Sequence, residues 1–235
     1  MKDQVIAIIP ARSGSKRLLN KNIMPFIDKP MLSWTIKAAI ESKLFDYITV
    51  STDSDEIADI SKQYGAEVPF LRNMSDADDY TPAWIATVNA LFQLESHLDT
   101  KFDVVVQLMP NCPLRISDDI VDAFEAFKTR GSNFQISVFK FGWMNPWWAM
   151  TLDKNTMRPT RLFPQAFRQR SQDQESLYCP SGAIWIAKAD AFKKEKTFYG
   201  DGLTVHPMDW KRAIDIDDED DLEMARMLAE KHLSS

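Results

Sequence analysis

The hydrophobic pattern near the amino terminus predicts a fully buried β-strand. Residues 5–9 are an unbroken apolar run, mostly β-branched, so neither face of the strand is marked as facing solvent. Pro10 cannot donate to a central sheet ladder, and the strand is therefore expected to end there. Similar patterns predict further strands at residues 47–51, 66–70, 102–108, 133–141 and 183–187.

Segments with helical spacing lie between these strands. Residues 29–40 have the pattern of an amphipathic helix, and Ser54 or Asp53 can cap a second helix that Gly65 terminates. Further helices are expected at residues 82–97 and 117–129, and from about residue 218. The alternation predicts an α/β fold, a Rossmann-like and mostly parallel mixed sheet flanked by helices. Ligands of such sheets bind beyond the carboxyl ends of the strands.

The segment after the first strand is small, polar and cationic. Its backbone can turn tightly at Ser13, Gly14 and Ser15 and present N–H groups. Four basic residues surround this turn: Arg12, Lys16, Arg17 and Lys21. N–H groups and cations at the carboxyl end of a buried strand predict a phosphate site, although a solvated basic loop is the alternative. Neither the P-loop motif nor the dinucleotide fingerprint is present.

A second candidate site lies near the carboxyl terminus. Asp215 and Asp217 are two residues apart on a segment expected to be a short strand from about Ala213, so both would face the same side. Two carboxylates on one face repel unless a cation lies between them, and oxygen ligands near phosphate suit Mg²⁺. The acids at 218–221 are interpreted as charges at the start of the last helix, and the alternative is that all of these acids have that role.

Composition limits the classes of partner. The 235 residues predict one domain over 1–235 with a good core, and the net charge of −6 argues against nucleic acid. The basic loop is thus a local feature that favours a small anionic ligand. Cys112 and Cys179 have no metal spacing and predict reduced thiols. We find no signal peptide and no apolar run near 18 residues, which predicts a cytoplasmic protein without membrane contact.

The loop motif resembles the signature of the CMP-N-acetylneuraminate synthetase family, the sialic-acid-type cytidylyltransferases. The family pattern is roughly A-R-x-G-S-K-x-x-P-x-K-N, and Leu19 stands where it has proline. Residues 109–115 are similar to Q-P-[TS]-[ST]-P-L-R, and residues 170–186 to R-x-Q-D followed by Y-R-P-N-G-A-I-Y-I. Residues 214–222 are similar to I-D-I-D-[TD]-x-x-D-L. The resemblance implies a fold of the nucleotide-diphospho-sugar transferase type.

The resemblance also implies an activity: transfer of CMP from CTP to the anomeric hydroxyl of a nine-carbon keto sugar acid, with release of pyrophosphate. Asp215 and Asp217 would hold Mg²⁺ and would act in catalysis with Arg12, Lys16 and Lys21, while the general base stays unassigned. The implied nucleotide-binding residues are Arg12, Ser13, Gly14, Ser15, Lys16, Lys21, Asn22 and Thr81.

Three departures from the family pattern concern the acceptor sugar. Met109, Cys179 and Ser181 stand where the family has Gln, Arg and Asn. They favour a bacterial relative of sialic acid, such as pseudaminate or legionaminate. Candidate sugar-binding residues are Gln107, Arg168, Arg170 and Tyr178. An eight-carbon sugar of lipopolysaccharide as acceptor and a non-catalytic nucleotide-binding protein remain alternatives.

Residues 140–170 lack a clean periodicity and combine tryptophans with arginines, including Trp143 and Trp148. Such residues are common anchors of subunit interfaces. The segment is predicted to be a small β-arm outside the main sheet, and the resemblance implies a homodimer that uses it. A β-arm packed within one subunit is the alternative.

Overall fold

The computed structural model describes residues 2–72 and 82–233, with side chains described as far as residue 230. Six strands form one sheet in the order β10-β6-β9-β5-β1-β4. These strands are β1 (Val5–Pro10), β4 (Tyr47–Ser51), β5 (Val104–Gln107), β6 (Phe134–Lys140), β9 (Tyr178–Lys188) and β10 (Leu203–Pro207). β9 is antiparallel to both of its neighbours and the other pairs are parallel, so the expected mixed α/β sheet is confirmed.

Helices cover both faces of this sheet. They are α1 (Met31–Ser42), α2 (Asp55–Gln63), α3 (Ala83–Leu98), α4 (Ser117–Arg130), α5 (Ala189–Glu195) and α6 (Glu219–Leu233). The short strands β2 (Pro25–Phe26) and β3 (Lys29–Pro30) form a hairpin before α1. No helix in the described part of the chain is long and apolar enough to cross a lipid bilayer.

The side chains of β1 feed two separate cores, as its unbroken apolar sequence predicts. Val5, Ala7 and Ile9 pack in the core that contains α1, α2 and α4. Ile6 and Ile8 point to the opposite face, where they join α3 and α5. Because successive strand residues face opposite sides, every position of this strand must be apolar. β1 is therefore an interior strand that is buried on both faces and lies between β5 and the edge strand β4.

Two expected strands are absent as strands. Residues 66–70 form only an isolated bridge from Glu67 to Thr49, beside the sheet edge at β4. Residues 213–217 have no regular secondary structure, so the strand expected from about Ala213 was wrong, although Asp215 and Asp217 are close enough for the charge of Asp217 to raise the pKa of Asp215. Packing against α6 positions this segment instead, because Ile216 is fully buried with residues of that helix in a third apolar cluster.

The excursion is longer than expected and spans residues 141–177, between β6 and β9; we call it the arm. It contains a two-stranded sheet of β7 (Met150–Leu152) and β8 (Pro159–Arg161), separate from the main sheet. Much of its apolar surface is exposed, including Trp143 at 85% and Leu152 at 55%. Trp147 packs edge-on against Phe163 with ring centres 5.2 Å apart.

Candidate active site

The candidate site lies where five strands end. The carboxyl ends of the parallel strands and the start of β9 meet at one edge of the sheet, as the pairing registers require. The loops at this edge comprise residues 11–22, 52–54, 108–116 and 208–218. Open α/β sheets bind ligands at this edge. The structure therefore brings the basic loop together with Asp215 and Asp217, which we call the late aspartates. The two segments are far apart in sequence.

The basic loop is closed by an internal carboxylate. Ser13 donates its backbone N–H to Asp53 Oδ1 at 2.8 Å and its hydroxyl to Asp53 Oδ2 at 2.9 Å. The N–H of Ser15 donates to the carbonyl of Ser13 at 2.9 Å. Two of the N–H groups expected to face phosphate thus have acceptors within the protein.

The far end of the loop is anchored by Asn22. Asn22 is 6% exposed, and its side-chain Nδ2 donates to the carbonyl of Arg12 at 2.8 Å. Its backbone carbonyl accepts from Leu32 N–H. Asn22 therefore fixes the base of the loop against α1. Its expected contact with a nucleotide would need a group other than the Nδ2 hydrogen used here.

The basic loop is tied directly to the late aspartates. Lys21 Nζ lies 2.8 Å from Asp217 Oδ1, and Arg17 Nη2 lies 2.8 Å from Asp217 Oδ2. The Lys21 side chain is only 15% exposed, whereas that of Arg17 is 65% exposed. Partial burial alone would raise the pKa of Asp217, but the hydrogen bond and charge of Lys21, aided by Arg17, lower it below its ordinary value.

Asp215 has the opposite electrostatic situation. No basic side chain in the described ranges forms an ion pair with it, and Cys112 Sγ donates to its Oδ1 at 3.9 Å. Asp215 as a whole residue is exposed, but its carboxylate lies beside the buried Cys112. Desolvation by the surrounding protein, and then the negative charge of Asp217, raise the pKa of Asp215 to about 6. The charge of Lys21 offsets part of this shift, and a bound cation would offset more.

Asn111 holds the late aspartates in place. Its side-chain Nδ2 donates to the carbonyl of Ile216 at 3.1 Å and to Asp217 Oδ1 at 3.4 Å, and its backbone carbonyl accepts from Ile216 N–H at 2.9 Å. These hydrogen bonds join the two irregular loops in the way that a short β-ladder joins two strands.

The next residue, Cys112, is fully buried, and burial raises the pKa of its thiol well above the usual value, so it is not a nucleophile.

The arginine at the end of the 109–115 motif has a structural role. Arg115 is 2% exposed; its Nη1 donates to the carbonyl of Ala183 at 2.5 Å, and its Nη2 donates to Thr35 Oγ1 at 2.7 Å. One buried guanidinium therefore joins α1, the end of β5 and β9. This fixes the floor of the cleft rather than its surface.

The predicted sugar-binding residues are not gathered in one place. Gln107 is 1% exposed and accepts from Thr87 Oγ1 at 2.6 Å, so a direct sugar contact would require it to be uncovered. Arg168, Arg170 and Tyr178 are exposed at the arm and at its return to the sheet. Arg170 already pairs with Asp173, Nε to Oδ2 at 2.8 Å. Thr81, the expected nucleotide contact on α3, lies outside the described residues.

Two of the unusual residues have clear structural roles. Met109 packs on Gly182, where an added Cβ would lie 2.8 Å from Met109 Cγ and 3.4 Å from Asp215 Oδ2. Only glycine therefore fits between Met109 and Asp215 without a shift. Ser181 is 4% exposed and donates to the carbonyl of Ala213 at 2.8 Å, which fixes the start of the aspartate loop.

Sequence reasoning missed the roles of Asp53, Asn111 and Arg17. The first had a detectable signal, because an acid follows directly at the carboxyl end of β4, beside the strand that carries the basic loop. The other two had none, since their partner Asp217 lies 106 and 200 residues away.

Comparisons with known proteins agree with this geometry. A cytidylyltransferase family model matches residues 6–201. The chain is 32% identical to the pseudaminic acid cytidylyltransferase of Campylobacter jejuni, over 95% of both chains. It is 36% identical to the CMP-N,N'-diacetyllegionaminic acid synthase of Legionella pneumophila over 84% of each. It is 33% identical to the N-acylneuraminate cytidylyltransferase of Escherichia coli, over 98% of this chain and 53% of the other.

Solved structures share the fold at low identity. The structure of CMP:2-keto-3-deoxy-manno-octonic acid synthetase complexed with CTP matches with a TM-score of 0.71 at 14% identity, over 97% of this chain and 99% of that one. This likeness confirms the expected fold, and the sequence matches confirm the expected family. The chain belongs to the cytidylyltransferase family, with relatives that act on sialic-acid-like sugars, and is a nucleotidyltransferase.

Proposed function

We propose that this enzyme transfers CMP from CTP to the anomeric hydroxyl of a nonulosonic acid and releases pyrophosphate. One observation carries the proposal: the basic loop and the late aspartates share one cleft, joined by the 2.8 Å contact between Lys21 and Asp217. A cleft with both cations and carboxylates suits a triphosphate and the divalent ion that accompanies it. The names of the relatives, at 32–36% identity, support the choice of acceptor class.

The basic loop is proposed to hold the triphosphate. Arg12, Lys16 and Lys21 would stabilise the charge that develops on pyrophosphate as it leaves. Ser13, Gly14 and Ser15 would contribute N–H groups, and Asn22 would keep the loop in position. In-line attack by the sugar hydroxyl at the α-phosphorus needs both substrates fixed in this cleft, since positioning supplies much of the rate.

The residues of the cleft fit Mg²⁺. Asp215 has no ion-pair partner among the described residues and a pKa raised to about 6, whereas the nearby Asp217 is paired with Lys21 and Arg17. The described residues contain no group of three or more His, Cys, Asp or Glu side chains that could hold a metal. Mg²⁺ suits such a sparse site, because it keeps several waters and takes its other ligands from phosphates. When bound, it would neutralise phosphate charge and lower the pKa of the attacking hydroxyl.

The acceptor is proposed to be pseudaminic or legionaminic acid. Met109 covers Gln107, whose Nε2 lies 3.7 Å from the Met109 sulfur, so the cleft presents a thioether where the family has an amide. An apolar surface favours a sugar with fewer hydroxyl groups than sialic acid. Arg168, Arg170 and Tyr178 would contribute from the arm.

The protein is proposed to act as a homodimer in the cytoplasm. The exposed apolar residues of the arm, such as Trp143 and Leu152, support an interface there. Cys112 and Cys179 are free thiols, which supports a reducing compartment.

The direct test is pyrophosphate release with Mg²⁺. The enzyme would be assayed with each of four nucleoside triphosphates against pseudaminic, legionaminic and N-acetylneuraminic acids and 3-deoxy-manno-octulosonate, with the product identified by mass. We expect turnover with CTP and a nine-carbon acid. Turnover with the eight-carbon sugar alone would reassign the acceptor. CTP binding without any turnover would favour a non-catalytic protein.

A further inference from the structure

The carboxylate of Asp53 occupies donors that the triphosphate is proposed to use. It takes both the N–H and the hydroxyl of Ser13, at 2.8 and 2.9 Å. A phosphate group typically takes such a pair of donors, an amide and a hydroxyl, at a loop after a buried strand. The Ser15 N–H turns inward to the Ser13 carbonyl at the same time. These donors of the loop are therefore satisfied within the protein.

The fold holds Asp53 at this place. Ser54 caps α2 by accepting from Ile57 N–H, and its own N–H donates to Thr52 Oγ1 at 3.2 Å, so the backbone on one side of Asp53 is fixed. On the other side β4 is paired with β1 through Ser51, opposite Pro10. Within residues 2–72 and 82–233, the Asp53 side chain is held by hydrogen bonds from Ser13 alone. A change of its rotamer alone would release both donors, without a change of the backbone.

We propose that Asp53 is a positioning residue that stands in for a phosphate, keeps the loop closed before the nucleotide arrives, and is displaced by CTP. This inference rests on the proposed function. A carboxylate and a triphosphate cannot share the Ser13 donors, so each CTP molecule must first compete with Asp53. The apparent Kd for CTP is then the intrinsic Kd divided by the fraction of protein in which Asp53 has released Ser13.

The test compares Asp53→Ala with Asp55→Asn. Asp55 is the exposed first residue of α2 on the same segment. The Asp55→Asn substitution removes the same unit of charge and leaves the contact between Asp53 and Ser13 in place. CTP binding is measured by calorimetry without acceptor, and KM and kcat for CTP are measured in turnover. We expect Asp53→Ala to bind CTP about fivefold more tightly and to lower KM with little change in kcat. Asp55→Asn should stay within about twofold of the wild type.

A double variant separates displacement from a general charge effect. In a Ser13→Ala background the Asp53 contact has lost its hydroxyl partner, so Asp53→Ala should then change CTP affinity less than in the wild type. Weaker CTP binding by Asp53→Ala, an unchanged affinity, or an equal gain in Asp55→Asn would each overturn this inference alone. A wild-type protein that does not bind CTP would overturn the proposed function, and this inference with it.

Discussion

Lys21 and Asp217 form an ion pair of 2.8 Å across 196 residues of sequence. The contact joins the loop after the first strand to the segment before the last helix, so the two ends of the chain form one wall of the cleft. A Lys side chain that is 15% exposed keeps such a contact better than a surface pair does, because water competes less.

Lys21→Met should damage both stability and turnover. Asp217 keeps Arg17 as its only basic partner in the described structure, and the partly buried carboxylate is less well satisfied. We expect a loss of about 1–2 kcal/mol in the free energy of unfolding and a fall of about 100-fold in kcat/KM for CTP. Urea unfolding and steady-state kinetics measure the two effects.

Arg17→Met is the matched comparison, because it removes the same kind of contact to the same carboxylate at the same distance. Its side chain is 65% exposed, so the stability loss should stay below about 0.5 kcal/mol. Equal losses in the two variants would contradict the importance of burial here.

Asp215 should make the stability of the metal-free protein depend on pH. Its pKa is raised to about 6 in the folded state against about 3.9 in the unfolded chain. The folded protein then binds more protons at Asp215 between these values, so the contribution of Asp215 to stability is most favourable below about pH 4, falls as the pH rises to about 6, and stays lower above it. Mg²⁺ should stabilise the protein at pH 7 and have little effect at pH 4, as measured by thermal unfolding.

Asp215→Asn tests the same charge by removal. At pH 7 without Mg²⁺ it should be more stable than the wild type by about 1 kcal/mol, less than the full pKa shift corresponds to, because the side chain is open to solvent. It should also lose the response to Mg²⁺. The exposed Asp201→Asn is the control and should retain that response. A variant that still responds to Mg²⁺ as the wild type does would refute Asp215 as a ligand.

Arg115→Lys should destabilise the fold although the charge is kept. The guanidinium bonds to Ala183 and Thr35 in different directions, and an ammonium group cannot reproduce this fork. We expect a loss of about 2–3 kcal/mol, measured by urea unfolding. Arg170→Lys, on the exposed arm, should change stability by less than about 0.5 kcal/mol. A small effect at Arg115 would show that the floor of the cleft has other support.

The arm should control the oligomeric state. Trp143 is 85% exposed and Trp148 37% exposed, and replacing both by Ser should raise the Kd of the proposed dimer at least about tenfold. Sedimentation velocity over a range of concentrations measures this. Met227→Ser on α6, also an exposed apolar residue at 59%, should leave the Kd unchanged. A wild-type protein that is monomeric at all concentrations would rule out the dimer.

The strands and helices could largely be predicted from the sequence, because their patterns are local. The apolar run of β1 and the Ser54 cap of α2 were both found where expected. The strand expected near Ala213 was a misreading, since its apolar residues pack against α6 rather than pair in the sheet. A short apolar run does not by itself distinguish these two outcomes.

The sequence by itself determined the family, the sheet and the chemical character of the two ends of the cleft, because strand patterns and motifs are short, continuous stretches of the chain. Only the tertiary structure decided which groups meet: Lys21 pairs with Asp217, Asp53 accepts from Ser13, and Asp215 has no ion-pair partner among the described residues. These relationships depend on which loops converge at the sheet edge, over separations of 40 to 196 residues. No local sequence pattern encodes contacts between residues so far apart. These contacts nevertheless set the charge of the site and decide which of its hydrogen-bond donors are accessible.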